Sequence, residues 1–257
     1  MRRYINSFKR VKSPKNFWDG YYRLKAKEEG FIQKVNFKNG FKLEVPHQLK
    51  TAFDEIYLRD VYQKGLSKIK DGATVLDLGA NAGYFSLAAF MKSKNINLIA
   101  VEPLPTNLKL YRETMSLNGI DDFTLIEKAV LNNEGKDLEI HYEEDGAASV
   151  GASMITRRKS RTSINVPTTT LDEIYEVNSL SHVDVLKIDC EGAEYNILYN
   201  ASDDVFGKTP CIILETHDWA PEEEGTIPQL EAFLKEKGYS TSIVHKDILY
   251  AQKPISK

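Results

Sequence analysis

The chain has 257 residues, 42% of them apolar and 28% charged, with a formal net charge of −3. That size suits one α/β domain with an appendage or two small domains, and the charge excludes a wholesale electrostatic binder of nucleic acid. No run reaches the roughly 18 apolar residues of a bilayer span, the start lacks the apolar core of a secretory signal, and Cys190 and Cys211 have neither zinc spacing nor the numbers for a disulfide framework; a cytoplasmic protein with reduced thiols is expected.

The opening stretch carries Arg2, Arg3, Lys9, Arg10, Lys12 and Lys15. Such a run reads as a solvated tail, with contact to an anionic membrane or acidic partner as the alternative. The aromatics of NFWDGYYRL, residues 16–24, suit a dimer contact or a cover over a site. In IQKVNFKNGFKLEVP, Val35 and Phe37 alternate with polar residues, Asn39-Gly40 supplies a turn, and Phe41, Leu43 and Val45 alternate again. This predicts a hairpin. Residues 1–50 therefore read as an N-terminal extension, too small for its own core and packed on a main domain over 51–257. Phe53, Ile56, Tyr57 and Val61 then follow at helical spacing.

From about residue 72 strand and helix patterns alternate. TVLDLG, INLIAVE, FTLIEKAV, VDVLKID and CIILET read as strands. AGYFSLAAFMKS, TNLKLYRETMSLNG, GAEYNILYN and IPQLEAFLKEKG read as helices. Thr170 and Glu173 have capping-box spacing and start a further short helix. YSTSIVH and DILYAQK close as a hairpin. The expectation is a Rossmann-like, mostly parallel seven-stranded sheet with an antiparallel last strand, covered on both faces. Ligands in such sheets bind beyond the carboxyl ends of the strands, at the switch in strand order.

The loop after the first of these strands reads Asp77-Leu78-Gly79-Ala80-Asn81-Ala82-Gly83. Asn81 and Tyr84 stand where a dinucleotide fingerprint needs its second and third glycines, and no Gly-Lys-Ser/Thr makes it a P-loop. The pattern D-x-G-x-N-x-G resembles the first motif of class I S-adenosylmethionine-dependent methyltransferases. Asp77 is placed to face the amino group of the methionine part, Gly79 to let the backbone approach, and Gly83 to open a helix that receives a carboxylate. A turn that uses glycine only for backbone freedom is the plainer alternative. Glu102 ends the next strand, 23 residues after Gly79. A carboxylate there is placed to accept ribose hydroxyl protons.

Three further stretches are VPTTTLDEI (166–174), VDVLKIDCEGAEYNIL (183–198) and IILETH (212–217). With LGANAGYFS and VEPLPTN they resemble the FkbM family of methyltransferases over roughly residues 52–252. The K-I-D-x-E-G-x-E stretch is the most specific part. The resemblance implies O-methylation of sugars in glycolipids or surface polysaccharides, or of natural products such as macrolides, with S-adenosylmethionine as cofactor. By the same resemblance the cofactor residues are Asp77, Gly79, Asn81, Gly83 and Glu102, with Lys128 and Ala129 where adenine would lie.

An alcohol attacking a sulfonium methyl must lose its proton, so a base or a Lewis acid has to stand within hydrogen-bond reach. Asp189 and Glu191 follow the fourth strand, and Glu215 and His217 the fifth. In one reading Asp189 or His217 is the base, the imidazole having a pKa suited to neutral pH. In the other, Asp189, Glu191, Glu215 and His217 hold a divalent ion; metal-free chemistry is favoured. The bland alternatives are that Glu191 or Glu194 caps the helix near Gly192 and that Glu215 pairs with Lys187. Cys190 reads as packing. The insertion at about 132–166 contains DGAASVGASM and RRKSR (157–161). It reads as a loop that closes over the acceptor, with Arg157 and Arg158 available to a phosphate. Methylation of RNA or protein and a non-catalytic cofactor-binding subunit are the competing functions. The missing glycines weigh against a dehydrogenase, and Asp189-Cys190-Glu191-Gly192 does not provide the Asn/Asp-Pro-Pro-Tyr of nucleobase-amine methylation.

Overall fold

The computed structural model describes residues 2–132, 137–142, 162–217 and 225–254. The DGAASVGASM and RRKSR segments of the insertion, including Arg157 and Arg158, lie outside the described residues.

The sheet uses strands β3 (Thr74–Leu78), β4 (Asn97–Val101), β5 (Thr124–Ile126), β10 (Val185–Ile188), β11 (Cys211–Glu215), β12 (Ser240–His245) and β13 (Ile248–Gln252). Its order is β12-β13-β11-β10-β3-β4-β5. Neighbours are parallel except at β13, which runs antiparallel to both β11 and β12. The expected seven strands and reversed last strand are therefore present. FTLIEKAV is not one strand, however. After β5 the chain leaves the sheet, and β6 (Ala129–Val130) pairs instead with β9 (Thr168–Thr169). Between them β7 (Leu138–Tyr142) and β8 (Thr162–Val166) form an antiparallel pair.

Alternate residues of each strand feed two cores. Val75, Ala100, Val185 and Ile213 belong to one, and Leu76, Ile99, Leu186 and Ile212 to the other. The second core is covered by α7 (Leu171–Val177), α8 (Glu194–Asn200), α9 (Asp203–Lys208) and α10 (Ile227–Glu236). Thr170 accepts the Glu173 amide at 3.0 Å and starts α7, as its spacing predicts.

The first core is shared by α5 (Tyr84–Phe90), α6 (Pro105–Ser116) and the N-terminal segment. That segment comprises α1 (Arg2–Arg10), α2 (Pro14–Lys25), the hairpin β1 (Ile32–Asn36) and β2 (Lys42–Pro46), then α3 (Lys50–Phe53) and α4 (Gln63–Leu66). Between α3 and α4 runs a π-helical turn, Asp54–Arg59, which ends on Asp60 in the left-handed region. The hairpin contributes Val35, Leu43 and Val45 to the core, as its alternation predicts.

The basic start is not a solvated tail. It forms α1, with Asn6 and Ser7 buried. The Asn6 amide donates to the Leu58 carbonyl at 2.9 Å and to Asp60 at 2.6 Å. Arg10 donates to the Tyr57 carbonyl and pairs with Asp60. These donors satisfy backbone carbonyls that the π-helical turn exposes, and in doing so hold the basic segment down.

On α4, a Cβ at Gly65 would stand 2.7 Å from Cγ2 of the fully buried Ile213. Alanine gains up to about 1 kcal/mol of helix propensity over glycine, but the overpacking against a branched core side chain costs about 1–3 kcal/mol. Gly65→Ala is expected to lower the urea midpoint, by about 1 kcal/mol in unfolding free energy.

Candidate active site

The strand order reverses between β3 and β10, and their carboxyl ends frame a cavity. Asp77 and Lys187 are register partners on these two strands. Their side chains point into the same face as Val75 and Val185, because strand side chains alternate. The Lys187 ammonium lies 3.1 Å from Asp77 Oδ1 and 3.7 Å from Asp189 Oδ2. It also donates to the carbonyls of Leu78 at 3.2 Å and Gly79 at 2.7 Å. Burial alone would lower the lysine pKa; the Asp77 and Asp189 charges outweigh it, and the pKa is raised. Asp77 is fully buried, accepts from Ser86 Oγ at 2.7 Å and does not line the cavity. The expected contact between Asp77 and the cofactor's amino group is thus replaced by an internal ion pair. Lys187 is taken by Asp77, not by Glu215.

The glycines have two different reasons. A Cβ at Gly79 would sit 1.8 Å from the Asp189 carbonyl oxygen, so a side chain there would push the two strand ends apart. A Cβ at Gly83 would meet Met115 Cε at 2.8 Å and Tyr111 at 2.9 Å, where α5 crosses α6. Both have positive φ. Gly79 lines the cavity and Gly83 does not. Asn81 also lines it, at φ 48°, and its Oδ1 accepts the Ala82 amide at 2.7 Å. This is a short polar side chain stabilising its own left-handed backbone.

Glu102 lines the cavity and is buried. Oε2 accepts from the Asn81 amide at 2.9 Å. Oε1 accepts from the Leu104 amide at 3.0 Å and from Asn107 Nδ2 at 3.1 Å. Burial raises its pKa, against the pull of these donors. A carboxylate offers roughly four lone-pair sites, so about one is left for a ligand. Lys128 and Ala129 line the same cavity, with Lys128 3.3 Å from Glu173.

Asp189, Glu191, Glu215 and His217 all line the cavity. Tyr62 links two of them: its hydroxyl donates to Glu215 Oε2 at 2.9 Å and lies 3.3 Å from Asp189 Oδ2. Burial, then the Asp189 and Glu55 charges, push Glu215 up to about 8. Burial likewise pushes Glu55 up to about 7.

His217 differs from expectation. Burial would lower its pKa, but the hydrogen bond between Nδ1 and Glu194 at 3.0 Å and the charges of Glu194, Asp189 and Glu191 prevail, raising it to about 10. At neutral pH it is an imidazolium and has no lone pair to offer as base. Glu194 also accepts the amides of Cys190 at 2.8 Å and Gly192 at 3.1 Å, closing the β10–α8 turn. Burial and the Glu194 charge push the Cys190 thiol up, consistent with packing.

Ligand atoms of Asp189, Glu191 and His217 lie within 4.8 Å of one another and can surround a cation; Glu215 is not in that group. Metal binding there requires the imidazole proton to leave, and the imidazolium already supplies a cation among these carboxylates. Tyr62 and Glu55, which complete the wall, have no sequence signal of their own. Lys187 had one: a charge inside a buried strand requires a partner.

The sheet order, with β13 reversed, is the mostly parallel, Rossmann-like arrangement with an antiparallel last strand that the sequence predicts. The match is more particular than the fold. Residues 77–241 match the methyltransferase FkbM domain, and the chain belongs to that family. Methyltransferase 1 of Beauveria bassiana is 22% identical over 84% of this chain and 92% of its own length. AMB antimetabolite synthetase AmbE of Pseudomonas aeruginosa is 25% identical over 77% of this chain, which spans only 11% of that protein. The 31-O-demethyl-FK506 methyltransferase FkbM of Streptomyces tacrolimicus is 20% identical over 77% of this chain and 84% of its own length.

Removing one partner from a buried ion pair strands the other charge and costs about 3–5 kcal/mol. Lys187→Met is expected to destabilise by that order in urea unfolding. Lys187→Met combined with Asp77→Leu should recover part of the loss.

Proposed function

We propose that the chain is an S-adenosylmethionine-dependent O-methyltransferase whose acceptor is a saccharide hydroxyl. The observation that carries this reading is the Glu215–Tyr62–Asp189 cluster in the wall of the cavity that Gly79, Asn81 and Glu102 enter from the other side.

The cavity residues fit the cofactor. Glu102 keeps an acceptor site for a ribose hydroxyl, while Val101, Leu104, Val130 and Leu131 offer an apolar wall beside Lys128 and Ala129 for a flat heterocycle. Asp77 and Gly83 act behind this surface by setting the loop's shape. S-adenosylmethionine, when bound, supplies a methyl group activated by its sulfonium. The chain's own residues do the rest.

Glu215 is a stronger base than an ordinary carboxylate, because burial and two neighbouring carboxyl groups disfavour its charge. It takes the proton of the acceptor hydroxyl. Asp189 accepts a second hydrogen bond and fixes the hydroxyl's direction. Tyr62 holds the two carboxylates in register. His217 stays charged, offsetting Glu191, Glu194 and Asp189. Adjacent carboxylates suit the neighbouring hydroxyls of a sugar, and the name of one relative, a 31-O-demethyl-FK506 methyltransferase, supports oxygen as the accepting atom.

Two experiments test this. A panel of free, nucleotide-linked and lipid-linked sugars with isotopically labelled cofactor should yield a product with one labelled methyl ether; label found only on nitrogen would refute the reading. In the pH profile, kcat/KM should climb about tenfold per unit below about 8 and flatten above it, because the base works only when unprotonated. Glu215→Gln should abolish that limb and lower kcat by about 10²–10⁴-fold, with cofactor affinity retained.

A further inference from the structure

Helix α1 is built inside out. Its inward face carries Asn6 and Ser7, both buried and hydrogen bonded, followed by Val11 just past its end. Its outward face carries Tyr4 at 49%, Ile5 at 45% and Phe8 at 59% exposure. A surface helix of a water-soluble fold normally does the reverse. The outward patch continues onto α2. Tyr4 stacks on Trp18 with centroids 4.3 Å apart, and its hydroxyl lies 3.3 Å from that of Tyr22, itself 54% exposed.

The charge around this patch is mainly basic, with Asp19 on α2 the exposed acidic residue among its rings. Residues 2–15 hold six basic residues and no acidic one, in a chain whose net charge is −3. Arg3 and Arg10 face inward to Asp54 and Asp60. Lys9, Lys12 and Lys15 are exposed. Lysines beside an apolar face, with Tyr and Trp rings that pair an apolar body with a polar tip, are the pattern of a helix lying in a lipid interface. At nine residues α1 is far too short to span a bilayer. A second copy of the chain would bring two like-charged patches together, at a Coulombic cost.

We propose that α1 and the start of α2 form a docking surface for an anionic lipid membrane, with Tyr4, Ile5 and Phe8 entering the headgroup region and Lys9, Lys12 and Lys15 meeting lipid phosphates. The π-helical turn beneath α1 gives Leu58, Asp60 and Tyr57 to α1, while Glu55 and Ile56 on the same turn line the cavity. The membrane surface thus lies one helix layer from the site. This surface stands independently of the methyltransferase reading.

The test is co-sedimentation of the full chain with vesicles of phosphatidylcholine alone and with about 30% phosphatidylglycerol. Binding to the anionic vesicles is expected, and it should weaken about tenfold or more between about 0.1 and 0.5 M salt. Ile5→Ser with Phe8→Ser should reduce partitioning at least tenfold, and Lys9→Glu with Lys12→Glu by a similar factor. Both pairs are exposed and should leave the thermal midpoint and cofactor affinity as they are. No binding to anionic vesicles would overturn the proposal. So would equal binding to neutral ones, or a concentration-dependent dimer that Phe8→Ser dissolves without any lipid binding.

Discussion

The buried pair of Lys187 and Asp77 is the constraint on which the site depends. It joins the two strands at which the sheet changes direction, and it is placed where the low dielectric makes an unpaired charge costly. The same ammonium holds the carbonyls of Leu78 and Gly79, so the start of the glycine loop is tied to β10. On the other side it reaches Asp189, which lines the cavity with Glu215 and Tyr62. One cation therefore connects the half of the cavity proposed for the methyl donor with the half proposed for the acceptor. Any change in the separation of β3 and β10 would be felt in both.

Much of the architecture was legible because alternation and turn chemistry act locally. The hairpin around Gly40, the cap at Thr170 and the reversed β13 all follow from short patterns. The break after Ile126 was not legible, since Ala129 and Val130 look like more of the same strand but find partners in Thr168 and Thr169. The helical spacing over residues 51–66 was real, yet it could not announce a π-helical turn that brings Glu55 and Tyr62 to the cavity. The basic start misled for a different reason: charge pattern says where lysines are comfortable, not whether the asparagine and serine between them have carbonyls to satisfy.

At the site the residues named from the sequence gather at or behind one cavity, but several of them face protein and not the open space. Asp77, Gly83 and His217 each belong to a motif that points to the ligand. Each is instead engaged with protein: Asp77 with Lys187, Gly83 with Met115 and Tyr111, His217 with Glu194. A motif records which residue types a geometry requires, and it does not separate groups that touch a ligand from groups that shape what touches it. The imidazole is the clearest instance. Its intrinsic pKa suits base work, but the carboxylates of Glu194, Asp189 and Glu191, 23 to 28 residues earlier, hold its proton.

The N-terminal segment has a wider consequence. Tyr57 donates its hydroxyl to the Tyr84 carbonyl at 2.8 Å, and the Tyr84 hydroxyl reaches back to the Glu44 carbonyl at 2.7 Å. Tyr84 is the first residue of the helix that opens from the glycine loop. The region outside the family-matched stretch is therefore clamped to the base of that loop by two tyrosine hydroxyls, one donated from each side. Substitutions around Glu44 and Tyr57 have a route to the shape of the glycine loop without touching a side chain that lines the cavity. The family-matched fold and the segment before it are, in this chain, one mechanical unit.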